Sequence, residues 1–208
     1  MKPKLAAYIE QLLPTIDDLK PDRIAILDQL VTYCQSKLQS GQELNLTFIC
    51  THNSRRSHFS QIWAQVAAHY YGFDRVKTFS GGTATTAFNE RAVAALERTG
   101  MDIENPGGEN PRYQVHYSDR AKPMEAYSKT FDEAPNPKTN FCAVMTCSSA
   151  DADCPVVFGA DGRVALLYVD PKESDGTDAE LATYDERCLQ IATELFYVWR
   201  KVKAELAN

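Results

Sequence analysis

The 208-residue chain contains no apolar run approaching the roughly 18 residues that a membrane-spanning helix needs. Its first residues, Met1-Lys2-Pro3-Lys4-Leu5, lead into an amphipathic segment broken by charge and lack the continuous apolar stretch of a secretory signal. A cytoplasmic protein with no membrane partner is therefore expected. Basic residues are not in excess either: 22 Lys and Arg stand against 28 Asp and Glu, a net charge of −6. That balance argues against general nucleic-acid binding, which needs a basic face. It leaves room for a small positive pocket, because net charge says nothing about local fields. The chain has no internal repeat, and its 44% hydrophobic and 24% charged residues are the mix of a folded domain, which excludes a disordered, collagen-like or fibrous polymer. Six cysteines are present: Cys34, Cys50, Cys142, Cys147, Cys154 and Cys188. In a reducing compartment they are expected to be free at rest, and any disulfide to be catalytic or transient.

Residues 3–40 read as two helices. Leu5, Ile9, Leu12 and Leu13 share one face of the first, which Pro14 stops; Pro21 opens the second, and Gly41 ends it. Residues 1–43 carry no evident chemistry and read as a helical extension packed on the main domain or on another subunit. From Leu44 the pattern becomes β/α. A strand ends at Cys50, a helix carries Phe59, Ile62, Trp63, Val66 and Tyr70, and Val76–Ser80 is a second strand. Asn89 can cap a helix ending at Gly100. Tyr113–Tyr117 is a short strand, and Phe141–Thr146 and Val164–Val169 are continuous apolar strands suited to a buried parallel sheet. Thr177-Asp178-Ala179-Glu180 reads as a capping box for the last helix. Strands alternating with helices imply an α/β domain over residues 44–208. Asn105–Asn140, rich in Pro, Asn and charge, reads as a long, partly irregular excursion.

The segment Cys50-Thr51-His52-Asn53-Ser54-Arg55-Arg56-Ser57 lies between the first strand and its helix. A cysteine, five residues and an arginine form a tight loop whose backbone N–H groups can converge at a helix N-terminus, an anion site made of peptide dipoles. Arg56 can close it with a bidentate fork. The same field favours a thiolate at Cys50, since a free cysteine pKa of about 8.5 falls to roughly 3.5–7.5 in such surroundings. The loop thus binds an oxyanion and sets a nucleophile beneath it. Ser57 can donate to the sulfur, and Asn53 can hold the loop's shape. The bland alternative is a buried strand-end cysteine followed by solvated arginines.

Phe48–Ser57 resembles the phosphate loop of the low-molecular-weight protein tyrosine phosphatases and the related thioredoxin-coupled arsenate reductases. The resemblance spans about residues 44–206 and implies a four-stranded parallel sheet flanked by helices. It implies Cys50 and Arg56 as catalytic residues and Thr51, His52, Asn53, Ser54, Arg55 and Ser57 as substrate-binding ones, with no cofactor and no metal. Gln61 falls where some arsenate reductases place a glutamate that helps hold potassium, so that ion is not expected. His52 stands where the family commonly has a small residue, and its side chain must point away from the anion. Arg55 either steers oxyanions or faces solvent.

A second cysteine pair, Cys147 and Cys154, sits in the small polar segment Cys147–Pro155 after the Phe141–Thr146 strand. If that strand lies beside the first, Cys147 is near Cys50, and the seven-residue spacing lets a loop rearrange to bring Cys154 onto Cys147, within the roughly 7 Å between Cα atoms that a disulfide allows. Zinc binding and simple burial are the alternatives. The pair resembles the redox segment of the arsenate reductases, which implies a disulfide relay from Cys50 through Cys147 and Cys154 to a thioredoxin-like reductant. Cys34, Cys142 and Cys188 fall on core patterns and read as structural. Asp170-Pro171 matches the Asp-Pro of the family, whose Asp is the general acid. A carboxyl beside an anion and a thiolate should have a raised pKa. The residues that follow, Lys172-Glu173-Ser174, offer no aromatic wall for a phenyl ring.

These features make arsenate reduction the leading expectation, with a small oxyanion as substrate. The runner-up is a phosphatase acting on phosphotyrosine or a small phosphoester with Cys50, Arg56 and Asp170 alone. A non-catalytic oxyanion-binding module is the third reading.

Overall fold

A computed structural model describes residues 1–73, 75–154 and 156–207; Asp74, Asn208 and Pro155 of the second cysteine segment lie outside the described residues. Strand β1 (Leu44–Cys50) is buried along all seven residues. Its β-branched and aromatic side chains suit a strand covered on both faces. It pairs in parallel with β2 (Val76–Gly82) on one side and β6 (Phe141–Met145) on the other, and β7 (Ala160–Ala165) closes the far edge, giving the order β2-β1-β6-β7. Helix α3 (Arg56–Tyr71) links β1 to β2, and the chain then recrosses β1 to reach β6. The carboxyl end of β1 is therefore the switch point of the sheet, where α/β proteins place their ligands.

Leu46, Phe48, Val144 and Val164 pack one face into the main core with α1 (Pro3–Leu12), α2 (Pro21–Gln39), α3 and α6 (Glu180–Leu206). The apolar stripes of the two N-terminal helices, Leu5, Ile9, Leu12, Leu27, Leu30 and Val31, are buried in that same core. Fully burying one such aliphatic side chain stabilises the fold by roughly 1.5–3 kcal/mol. The opposite face carries a smaller apolar cluster containing Ile49, Cys50, Ala143, Met145 and Cys147, against which α5 (Ser148–Asp153) lies.

Several elements differ from expectation. The last strand of the sheet is Ala160–Ala165, not Val164–Val169. It is an edge strand, so burial alternates: Val164, Leu166 and Tyr168 face the core while Val169 is 56% exposed. The chain after it still follows β6, through Leu166 N donating to Met145 O and Tyr168 N to Thr146 O. Asn105–Asn140 contains more order than its composition suggests. Strands β3 (Asp102–Glu104), β4 (Tyr113–His116) and β5 (Met124–Ala126) form a small antiparallel sheet around the expected Tyr113 strand. Asn89 caps α4 (Glu90–Arg98) as expected, its side chain accepting from Arg91 N, an interaction of about 1 kcal/mol. The capping box at Thr177 does not form. Helix α6 begins at Glu180, whose carboxylate instead accepts from Gly176 N and pairs with Arg91. The cysteine-rich segment after β6 is helical rather than loop, as α5.

Candidate active site

The loop after β1 is shaped by its carbonyl groups. Cys50 O accepts from Thr83 N, Thr51 O from Ala84 N, and Ser54 O from Asn89 N. His52 O accepts from the Ser128 and Thr86 hydroxyls, and Arg55 O from Phe59 N within α3. In a trans peptide the N–H points opposite to the preceding C=O. Drawing these carbonyls outward therefore turns the amides of Thr51, His52, Asn53, Arg55 and Arg56 inward, at the N-terminus of α3, where the helix dipole favours negative charge.

Asn53 is fully buried with φ of 44°, in the left-handed region that asparagine tolerates better than most residues. Its two amide atoms lock the loop: Oδ1 accepts from Lys129 N at 3.0 Å, and Nδ2 donates to Ser57 Oγ at 2.9 Å. That donation leaves the Ser57 hydroxyl proton free to point at Cys50 Sγ, 3.0 Å away. Cys50 itself is 3% exposed, at the base of the loop. Gly82, opposite Cys50 in the β1/β2 ladder, gives the loop its room. A Cβ there would lie 2.7 Å from Thr51 O and 2.8 Å from Asn53 N.

Arg56 does not float above the loop. Nη1 donates to Tyr168 O at 3.0 Å and Nη2 to Asp170 Oδ2 at 2.7 Å. Asp170 Oδ1 also accepts from Lys172 N. Arg55 neither reaches into the loop nor faces solvent. Its Nε donates to Tyr184 OH at 2.6 Å and its Nη2 to Asp175 Oδ2 at 3.2 Å. The Ser54 hydroxyl turns away to Ala87 O, whereas His52 is exposed at the mouth. Above the loop opens a cleft of about 810 Å³, lined by Arg56, Asp170, His52, Glu109, Phe88 and Tyr113 among others. Its aromatic edges come from β4 and the turn before α4, not from the residues after Asp170.

The second cysteine pair sits beside the first sulfur. Ile49 is opposite Met145 across β1 and β6, so Cys50 and Cys147 leave the sheet at neighbouring positions. Thr51 Oγ1 lies 3.4 Å from Cys147 Sγ, and both cysteines are buried in the smaller apolar cluster. Cys154 packs against that cluster partly exposed, the one such thiol among the six, the rest being buried. Burial and the neighbouring Asp153 push its thiol pKa up. Cys147 and Cys154 cap the two ends of α5. Seven residues at the helical rise of 1.5 Å separate them by roughly 10 Å, beyond disulfide reach. Arg163 fastens the helix end by donating to Asp151 Oδ1, Asp151 O and Cys154 O. Cys34, Cys142 and Cys188 lie in the main core, where burial pushes the latter two thiols up to about 12.

Sequence reasoning missed Gly82, the Lys129 amide and the Tyr168 carbonyl. Two of these act through backbone atoms and leave no side-chain signature. The pair Gly81-Gly82 at a strand end was the available signal for the third.

A parallel sheet in this order, with a Cys-x5-Arg loop at its switch point, defines the low-molecular-weight protein tyrosine phosphatase class. No family model matches the chain. The solved low-molecular-weight protein tyrosine phosphatase of T. tengcongensis shares the fold at 16% identity and a TM-score of 0.51, over 76% of this chain and 99% of that one. The arsenate reductase of Bacillus subtilis is 40% identical over 140 residues, 67% of this chain and 83% of that protein. That of Halalkalibacterium halodurans is 28% identical over 133 residues, 64% of this chain and 78% of that protein. The chain belongs to the arsenate reductase family of this superfamily.

Proposed function

We propose that the protein is a thiol-dependent arsenate reductase. The observation that carries the reading is the apolar cluster holding Cys50 and Cys147, with Cys154 at its edge. Phosphoester hydrolysis needs only the first of the three.

Arsenate enters the loop and takes the Arg56 fork that Asp170 otherwise occupies. This frees the carboxylate, which takes up a proton from solvent once it has lost the guanidinium and faces the departing oxygen. The Cys50 thiolate attacks arsenic; an S–As bond forms, and one oxygen leaves as water with a proton from Asp170. The Cys147 thiolate then attacks the Cys50 sulfur. An S–S bond forms, the S–As bond breaks, and its electron pair stays on arsenic, which departs as arsenite. The Cys154 thiolate attacks Cys147, returning Cys50 to the thiolate and leaving a Cys147–Cys154 disulfide. The roughly 10 Å across α5 means that this helix unwinds for the last exchange. A thioredoxin-like dithiol then supplies two electrons to the disulfide. The test is arsenite release with a thioredoxin system. The parent turns over, whereas Cys147→Ser and Cys154→Ser do not; equal turnover in all three would overturn the relay.

The breadth of the cleft favours a second reading, since a bare tetrahedral anion leaves most of its volume unfilled. A phosphatase of small phosphoesters would use Cys50, Arg56 and Asp170 alone. Aryl phosphate hydrolysis that survives Cys147→Ser would support it.

A further inference from the structure

The Arg56 clamp is built on a carbonyl, and that carbonyl belongs to a residue held from the far side of the molecule. Tyr168 donates its own N–H to Thr146 O at 3.1 Å and accepts from Arg56 through its C=O. It is the last residue of its segment to bond back to β6. Val169, the next, is largely exposed, and Asp170 follows. Whatever fixes Tyr168 therefore fixes the start of the segment that carries the acid.

The Tyr168 ring is buried, and the guanidinium of Arg23, from α2, lies over it at 4.8 Å from the ring centre. The plane of that guanidinium is set by a two-pronged pair with Glu194 of α6: Nε to Oε1 at 2.8 Å and Nη2 to Oε2 at 2.7 Å. Glu194 is 1% exposed. Such a fork has a fixed orientation and presents a flat cationic face to an aromatic ring. A continuous path of contacts thus runs from Glu194 through Arg23 and the Tyr168 ring to the Tyr168 carbonyl and the Arg56 guanidinium.

We propose that Arg23 is a positioning residue for the oxyanion site, holding Tyr168 so that its carbonyl aims the Arg56 fork and its segment presents Asp170. This assigns the N-terminal helices a part in the chemistry, and it rests on the reading of Arg56 as the anion clamp. Misplacement of a reacting group by about 1 Å can cost on the order of a hundredfold in rate, so a modest shift of the Tyr168 peptide is enough to register.

The experiment measures how much inorganic phosphate protects Cys50 from alkylation by iodoacetamide, read by mass spectrometry of the Cys50 peptide, together with kcat and KM for arsenate. The variant is the pair Arg23→Met with Glu194→Gln, which leaves no unpaired buried charge. Half-protection should need on the order of tenfold more phosphate than in the parent, with KM raised in step and Tm within a few degrees. Arg23→Lys keeps a cation for Glu194 without the flat face and should fall between the two. A merely structural role would lower Tm and leave protection of the folded protein unchanged. Should the paired variant not fold, Tyr168→Leu keeps the Arg23–Glu194 pair, removes only the ring, and carries the same expectation. Equal protection of a folded variant and the parent overturns the positioning role. A parent that phosphate does not protect at all overturns the oxyanion-loop reading beneath it, and the proposal with it.

Discussion

Arg56 and Asp170 hold each other at 2.7 Å, Nη2 to Oδ2, with the other arm of the guanidinium on the Tyr168 carbonyl. The pair is only partly exposed, with side-chain exposures of 14% and 28%. An arriving tetrahedral anion offers the same fork two oxygens in place of one carboxylate oxygen. Arg56→Lys keeps the charge but loses the planar fork. Arsenate turnover should drop by on the order of 10²–10³-fold, measured as kcat/KM, with the fold intact by circular dichroism.

Asn53 should separate backbone shape from hydrogen bonding. Asn53→Gly relieves the φ of 44° but deletes both amide contacts, to Lys129 N and Ser57 Oγ. Asn53→Ala deletes the same contacts and keeps a Cβ in the left-handed region. Each lost buried hydrogen bond costs about 1 kcal/mol and the retained strain about 1 kcal/mol more. Thermal melts should therefore rank parent, glycine variant, alanine variant in falling stability, and both variants should lose reactivity at Cys50.

Much of this site is legible in the residues alone. Cys50, Arg56 and Ser57 stand out as candidates because their side-chain types and spacing are what an anion-binding loop would need. Cys147 follows because it comes just after a strand of readable pattern, and Asp170 because of its Asp-Pro pair, although the strand expected to end there stops at Ala165. The order in Asn105–Asn140 was hidden because strands of three and four residues carry too little alternation to rise above Pro- and Asn-rich surroundings. The helix between Cys147 and Cys154 was hidden because Ser148-Ser149-Ala150-Asp151-Ala152-Asp153 is small and polar, the composition of a loop. It is held by contacts from elsewhere, chiefly Arg163. Arg23 and Tyr168 lie 145 positions apart in the chain, and only the packing of α2 against α6 and the last strand brings them together.

Arg163 gives the next expectation. It ties down the end of α5 through three contacts, and α5 separates Cys147 from Cys154, the two cysteines of the proposed relay. Arg163→Met should speed formation of the Cys147–Cys154 disulfide in single-turnover quench experiments, without changing arsenate binding. A slower or unchanged exchange would show that unwinding of α5 does not limit the step.

Lys129 predicts a pH dependence of stability. Its side chain is buried, and desolvation lowers its pKa from 10.5 to about 8. Below pH 8 the ammonium is charged in both folded and unfolded chains. Between pH 8 and 10.5 the folded chain gives up the proton while the unfolded chain keeps it. The unfolded state then binds more protons, so stability rises with pH by up to about 1.4 kcal/mol per unit. Urea melts across this window should show the parent gaining stability relative to Lys129→Met. Parallel curves for the two would contradict the assignment.

Gly82 should accept no side chain. A Cβ there meets Ala84 O at 2.3 Å as well as the loop backbone, so Gly82→Ala must displace the loop. Overpacking of this kind costs about 1–3 kcal/mol. The variant should melt lower and lose phosphate protection of Cys50.

The most direct test of the central claim is disulfide mapping by mass spectrometry after a single arsenate turnover without external reductant. The parent should yield one arsenite and a Cys147–Cys154 disulfide, and Cys154→Ser should stop at Cys50–Cys147. Arsenite released with all three thiols still reduced, or no arsenite at all beside rapid aryl phosphate hydrolysis, would contradict the relay.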